Sequence, residues 1–225
     1  MNYNGNIYRP PIEAHTMLIP VTEGCTHNKC TFCNMYQNVP FRMWSLDEVE
    51  DYLAEIKDRY GRLADSIDRV YLVGADPFAL SAKKLLTRIS LIKKYLPNVT
   101  VITMYARTDN IAHKTDEDLK QLKEAGVNDL YIGVESGDDV VLKRINKGYT
   151  AAQAREVLEK IDALGLPYIV NFLNGAGGHE YGLENAHRTA QLYDGLHMTM
   201  VNISMLTIVP GTPLYSHPTS KFDSK

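Results

Sequence analysis

Apolar positions in this chain alternate between short unbroken runs and stripes at helical spacing, a pattern that predicts six strands separated by helices. A first run over 16–21 ends at Thr22-Glu23-Gly24. Ser45 and Glu48 form a capping box, after which Leu46, Val49, Leu53 and Ile56 mark one face of a helix. The run over 69–73 reads as a buried strand ending at Gly74, and a helix over 81–95 stops at Pro97. Further strands are expected over 99–104, 129–133, 168–172 and 199–208. Helices are expected over 115–125, closed by Gly126, from the Thr150 cap to Gly165, and over 184–193.

Regular alternation of strand and helix with short connections implies an α/β fold with a parallel sheet and right-handed crossovers. Periodicity alone leaves an open doubly wound sheet and a partial barrel equally open. Residues 16–215 read as one core domain, preceded by a segment over 1–15 that is Pro-rich and extended from Tyr8 to Pro11. A polar tail over 216–225 follows, and the chain reads as short or truncated there.

Composition removes some function classes. At 44% hydrophobic and 23% charged residues the chain is an ordinary globular protein. A formal net charge of -3 gives no electrostatic support for nucleic-acid binding. No apolar run reaches the length of a membrane span, and the first residues do not form a signal peptide, so the chain reads as cytoplasmic.

Cysteine placement changes the picture most. All three cysteines, Cys25, Cys30 and Cys33, lie in one stretch. An odd number cannot pair fully within one chain, and clustering of this kind points to metal before disulfide. Cys30-Thr31-Phe32-Cys33 is a CxxC, found in zinc and iron–sulfur sites alike. Zinc wants a fourth ligand, His27 is a cramped candidate between Cys25 and Cys30, and no second ligand pair follows. A four-iron cluster held by three thiolates, with one iron open, is the better fit.

Parallel α/β folds gather their chemistry at the C-terminal ends of strands, and here those ends are marked in turn. The second strand runs into Gly74-Ala75-Asp76-Pro77, residue types that also simply make turns. The third ends in Arg107. The fourth ends in Gly133-Val134-Glu135-Ser136-Gly137, a carboxylate and a hydroxyl between glycines, suited to gripping ribose hydroxyls. Arg144 and Lys147 follow in a basic segment that would also serve as a solvated helix face. The fifth strand carries Asn171 and leads into Gly175-Ala176-Gly177-Gly178-His179-Glu180, which lacks a dinucleotide fingerprint.

These residues resemble the radical S-adenosylmethionine (radical SAM) superfamily from about Tyr8 to about Tyr215. The Tyr8-Arg9-Pro10-Pro11 and Glu23-to-Cys30 phrases look like a bacterial subgroup loosely related to the oxygen-independent coproporphyrinogen oxidase and methylthiotransferase branches. The resemblance implies a (β/α)6 partial TIM barrel. It implies that Cys25, Cys30 and Cys33 ligate a [4Fe-4S] cluster whose open iron chelates S-adenosylmethionine, and that Phe32 packs close to that cofactor. Two departures stand out: four residues separate Cys25 from Cys30 where three are commonest, and Gly74-Ala75-Asp76-Pro77 stands where the superfamily has Gly-Gly-Glu-Pro. By the same resemblance Gly74, Ala75 and Asp76 meet the cofactor's amino group, while Glu135 and Ser136 meet its ribose. Arg144 (preferred over Lys147 for its bidentate geometry) meets its carboxylate, and Asn171 and the backbone at Val209 lie along the adenosine.

The function implied is reductive cleavage of S-adenosylmethionine to a 5′-deoxyadenosyl radical that abstracts hydrogen from an unknown substrate. The electron would come from a donor such as flavodoxin or ferredoxin. With no further cysteine, a second cluster of the kind used for methylthiolation is not expected. Two other readings stand beside it: a non-catalytic zinc-binding module, and a degenerate or truncated relative that holds a cluster without turnover.

Overall fold

The computed structural model describes Tyr3 and residues 6–216, and the tail expected over 216–225 lies, from 217 on, outside the described residues. Six strands, β1 (Met17–Pro20), β4 (Arg69–Val73), β5 (Val101–Ala106), β6 (Val127–Glu135), β7 (Tyr168–Asn174) and β8 (Met200–Met205), form one sheet in that order. Every neighbouring pair is parallel. Because β1 and β8 stand at opposite ends without pairing, the barrel is partial. A second, two-stranded antiparallel ribbon pairs β2 (Thr22–Glu23) with β3 (Arg42–Met43).

Alternation along the strands divides the interior in two. Val70, Leu72, Ile102, Met104, Ile132 and Val170 face the helices and belong to the main core. Their in-between neighbours Tyr71, Val73, Tyr131 and Ile169 form a separate cluster on the other face, with Ile7, Leu18 and Tyr105 against it. Both faces being covered is what makes parallel strands read as unbroken apolar runs.

The helices are α1 (Leu46–Tyr60), α2 (Ala82–Tyr95), α3 (Thr108–Ala112), α4 (Asp116–Glu124), α5 (Asp139–Arg144), α6 (Ala151–Ala163), α7 (Gly178–Tyr193) and α8 (Pro213–Ser216). Local chemistry explains where the long ones start. Capping boxes sit at Ser45/Glu48, Thr115/Asp118 and Thr150/Gln153, each satisfying free amides of a first turn. On α1, Val49, Leu53 and Ile56 are the buried stripe, as the sequence predicts, while Leu46 is 40% exposed.

Several elements differ from the sequence expectation. α7 begins at Gly178, six residues before the predicted start at 184, so the glycine-rich stretch supplies its first turn. The short helices α3, α5 and α8 have too few turns to show a period. The N-terminal segment, read as extended from Tyr8 to Pro11, is extended at Pro10 and enters a 3-10 turn over Pro11–Glu13 that places Glu13 fully inside the molecule. There its carboxylate accepts from Thr16, Arg69, Thr103 and Tyr131, tying the segment to β4, β5 and β6.

Candidate active site

The cysteines ride on a loop whose neck is closed by the β2–β3 ribbon. Glu23 anchors that neck. Its buried carboxylate accepts from Trp44 Nε1 (2.8 Å) and Arg42 Nη2 (2.8 Å), and Arg42 in turn donates to Glu48 in the α1 cap (2.8 and 3.0 Å). Within the loop, Asn28 takes a positive φ of 46° and donates through Nδ2 to the Tyr36 carbonyl (2.9 Å). The turn after α5 then clamps the loop from the other side. His27 Nε2 donates to the Asn146 carbonyl (2.7 Å), Asn146 Nδ2 donates to the Lys29 carbonyl (2.8 Å), and Thr31 N–H bonds the Ile145 carbonyl (3.0 Å). Gly148, at φ 91°, leaves the space that the His27 ring occupies.

All three thiols are free and half-buried. Burial pushes the Cys30 and Cys33 thiols up, against the pull of Lys147 and, at Cys30, of Arg107. The neighbouring Cys25 adds to the rise at both, and Cys30 adds to it at Cys33. Among the described residues no three His, Cys, Asp or Glu side chains converge to hold a single metal ion. Three thiolates on separate irons of a cluster need no such convergence, whereas a tetrahedral zinc does. The donor set, three thiols with buried cations beside them to offset thiolate charge, therefore fits an iron–sulfur cluster, and the zinc module is not favoured.

Beside the loop stand the strand ends. After β4, Gly74 (φ 145°) passes so close to Thr22 that a Cβ would collide with the hydroxyl. Ala75 is half-buried, and Asp76 is fully buried. Thr26 Oγ1 donates to Asp76 Oδ2 (2.9 Å), Asn110 Nδ2 donates to the same oxygen, and Oδ1 has no partner. Burial raises the pKa of this carboxyl. An orphaned buried carboxylate oxygen beside the cysteine loop has the chemistry to accept a hydrogen bond from a cationic group.

At the end of β6, Glu135 is held at φ 71°, a strained value for a non-glycine residue. Its Oε1 meets Lys147 Nζ (3.1 Å) and its Oε2 accepts from Asn171 Nδ2. Burial works to lower the pKa of the Lys147 ammonium, and the Glu135 carboxylate outweighs it and holds that pKa above the ordinary value. Asn171 is oriented in turn by Asn202 Nδ2 and Ser204 Oγ, each donating to its Oδ1 at 2.7 Å. Arg107 forks onto Asp109 (3.0 and 3.0 Å) and donates to the Lys147 carbonyl (2.9 Å).

Not every candidate faces the site alike. Ser136 is fully buried; its hydroxyl donates to Asn185 of α7 and accepts from Asp138 N–H (2.9 Å). Its side chain is therefore occupied in joining the strand end to α7, a different task from the expected ribose contact. Arg144 lies half-buried with its guanidinium 5.0 Å from the Tyr181 ring centroid, and its carbonyl accepts from Thr31 Oγ1 (3.2 Å). Phe32 packs against Val141, Ile145, Leu173 and Ala176 as an apolar wall. The Val209 carbonyl accepts from Thr212 Oγ1 (2.8 Å), in a turn whose Gly211 carbonyl takes a bond from Gln37 of the cysteine loop (2.7 Å). His179 and Glu180 are exposed in the first turn of α7. Sequence reading passed over Thr26, Asn110, Asn202 and Ser204. Asn110, four residues past the end of β5, shares the signal that marks Asp76 and Ser136, a polar residue shortly after a strand end, whereas Asn202 and Ser204 lie inside β8.

Comparison with known proteins bears on the family and the fold. The chain is 27% identical over 173 residues to 4'-phospho-dehydrooxetanocin synthase of Priestia megaterium, covering 70% of this chain and 23% of the relative. It is 25% identical over 202 residues to the heme chaperone HemW of Buchnera aphidicola subsp. Schizaphis graminum, covering 83% and 50%. It thus spans about a quarter of the first relative and half of the second. In fold it matches the radical S-adenosylmethionine methyltransferase TsrM from Kitasatospora setae, solved with cobalamin and a [4Fe-4S] cluster, at a TM-score of 0.68, with 17% identity, 88% of this chain and 36% of that one. Coproporphyrinogen III oxidase (HemN) from Escherichia coli superposes at 0.60, with 14% identity, 87% and 44%. The model of the radical SAM superfamily matches residues 19–192, and the chain belongs to that superfamily, whose members use a [4Fe-4S] cluster and S-adenosylmethionine.

Proposed function

We propose that this chain is a radical SAM enzyme in which Cys25, Cys30 and Cys33 hold the [4Fe-4S] cluster and the adjoining strand ends hold S-adenosylmethionine. When bound and reduced, that pair supplies a 5′-deoxyadenosyl radical able to take hydrogen from an unactivated carbon of a substrate still to be identified. Each residue has a task that its surroundings support. The Gly74–Asp76 turn receives the amino group, and Arg144 meets the carboxylate at the rim. Glu135, braced by Lys147 and Asn171, accepts from the ribose hydroxyls. Phe32 and the apolar cluster around it keep water from the cysteines, and the backbone at Val209 lines the adenine side. Ser136 shapes the turn that carries Glu135. The electron comes from a flavodoxin- or ferredoxin-type donor, and the protein works in the cytoplasm.

The observation that carries this reading is the meeting of three free thiols on a clamped loop with an orphaned buried carboxylate oxygen. Protein reconstituted anaerobically with iron and sulfide, then given dithionite and S-adenosylmethionine, is expected to release 5′-deoxyadenosine, and Cys30→Ala is expected to abolish it. Iron without product would indicate a degenerate relative, and bound zinc without iron would overturn the proposal.

A further inference from the structure

Asp76 is one methylene shorter than the glutamate that its turn resembles, and its surroundings supply a compensation. We infer that Thr26 and Asn110 are positioning residues that fix the Asp76 carboxylate, engaging Oδ2 so that Oδ1 is presented to the ammonium group of S-adenosylmethionine. This rests on the cofactor site proposed above and assigns work to two residues outside it.

Three distances carry the inference. Thr26 Oγ1 donates to Asp76 Oδ2 at 2.9 Å, Asn110 Nδ2 donates to the same atom, and Asn110 Nδ2 lies 3.4 Å from Thr26 Oγ1, closing a triangle. The donors come from different parts of the chain, the cysteine loop and α3, so the carboxylate is gripped from two sides. A carboxylate with both oxygens buried and only one bonded is costly unless something arrives at the other. Asn110 is itself braced: its N–H bonds Asp109 Oδ1 (3.2 Å), and its carbonyl accepts from Lys114 Nζ (3.4 Å). Lys114 also donates to the carbonyl of Phe78, two residues past Asp76, so turn and brace move together.

Thr26 occupies the four-residue spacer between Cys25 and Cys30, one residue longer than the commonest superfamily spacing. Because Thr26 directly follows Cys25, the segment that carries the first cysteine also reaches the shorter carboxylate. Thr26 thereby links the cluster loop to the amino-group receptor.

The test uses anaerobically reconstituted holoenzyme and two ligands, S-adenosylmethionine and its analogue lacking the amino group, with affinities read by equilibrium dialysis. Wild type is expected to prefer S-adenosylmethionine by roughly tenfold, the scale of one charge-assisted hydrogen bond. Thr26→Val and Asn110→Leu are each expected to lose about five- to tenfold for S-adenosylmethionine while affinity for the analogue stays within about twofold, and Thr26→Ser to restore it. Asn110 lies off the cysteine loop, so it carries the test if Thr26→Val lowers iron content. Equal losses for both ligands would mean a merely structural role and overturn the inference, as would unchanged affinities or a wild type that does not distinguish the two ligands. A fully iron-loaded wild type that binds neither ligand would overturn the cofactor site itself.

Discussion

Lys147 Nζ lies 3.1 Å from Glu135 Oε1, with the two side chains only 7% and 9% exposed. A buried pair of this kind contributes little net stability as a pair, but removing one member strands the other. Glu135→Gln is therefore expected to cost about 3–5 kcal/mol in urea unfolding of the metal-free protein, because the Lys147 ammonium is left buried without its partner. Glu135→Gln combined with Lys147→Met should recover much of that loss. If the single variant unfolds like wild type, the pair does not exist in solution.

Glu23 controls the cysteine loop from its neck. In Glu23→Gln the charge that holds Arg42 is gone, while the Trp44 indole can still find an oxygen. The expected stability loss is about 1–3 kcal/mol, the scale of a buried bond to a charged group. The more telling readout is iron: retention after gel filtration should fall further than stability does, because the loop ends are no longer fixed relative to one another. Iron content equal to wild type would remove the neck clamp from the argument.

How much of this was legible beforehand depends on the range of each interaction. The Ser45/Glu48 and Thr150/Gln153 boxes are visible because both partners lie within one turn, and the buried strands because both faces are covered. Gly178 was passed over as a helix start because glycine reads locally as loop, and packing of Asn185, Thr189 and Leu192 overrides it. Thr26 and Asn110 reach Asp76 from 50 and 34 residues away, and no local pattern records that. The direction of Ser136 was equally hidden. A register shift between Ile132 and Glu135 breaks the simple alternation at the end of β6, and with Glu135 at positive φ the next side chain turns into α7.

Gly148 tests the clamp on the loop's far side. Its φ of 91° and the His27 ring across it leave no place for a methyl group. Gly148→Ala is expected to cost about 1–3 kcal/mol and to displace His27 from the Asn146 carbonyl, weakening iron retention as well. Gly61→Ala is the matched control: it too has positive φ, 53°, but nothing lies within 4 Å of the added carbon. It should lose about 1 kcal/mol or less and keep its iron. Equal behaviour of the two variants would show that the collision with His27 is immaterial.

Glu13, at the other end of the strands, sets an acid limit on stability. Burial by itself would raise its pKa, but hydrogen bonds from Arg69, Thr16 and Tyr131 outweigh burial and bring it from 4.5 to about 2. A carboxyl with a depressed folded-state pKa favours folding fully above its unfolded value, and that contribution is lost as pH falls through the window from 4.5 to about 2. The shift corresponds to about 3 kcal/mol, a large share of a domain's stability. Wild type should therefore lose urea resistance steeply across that window. Glu13→Gln should begin less stable at pH 7 and show a shallower fall, since the group that takes up the proton is absent. Parallel pH profiles for the two proteins would mean that Glu13 is not ionised in the fold, and the tie from the N-terminal segment to β4, β5 and β6 would then have to be carried by neutral hydrogen bonds.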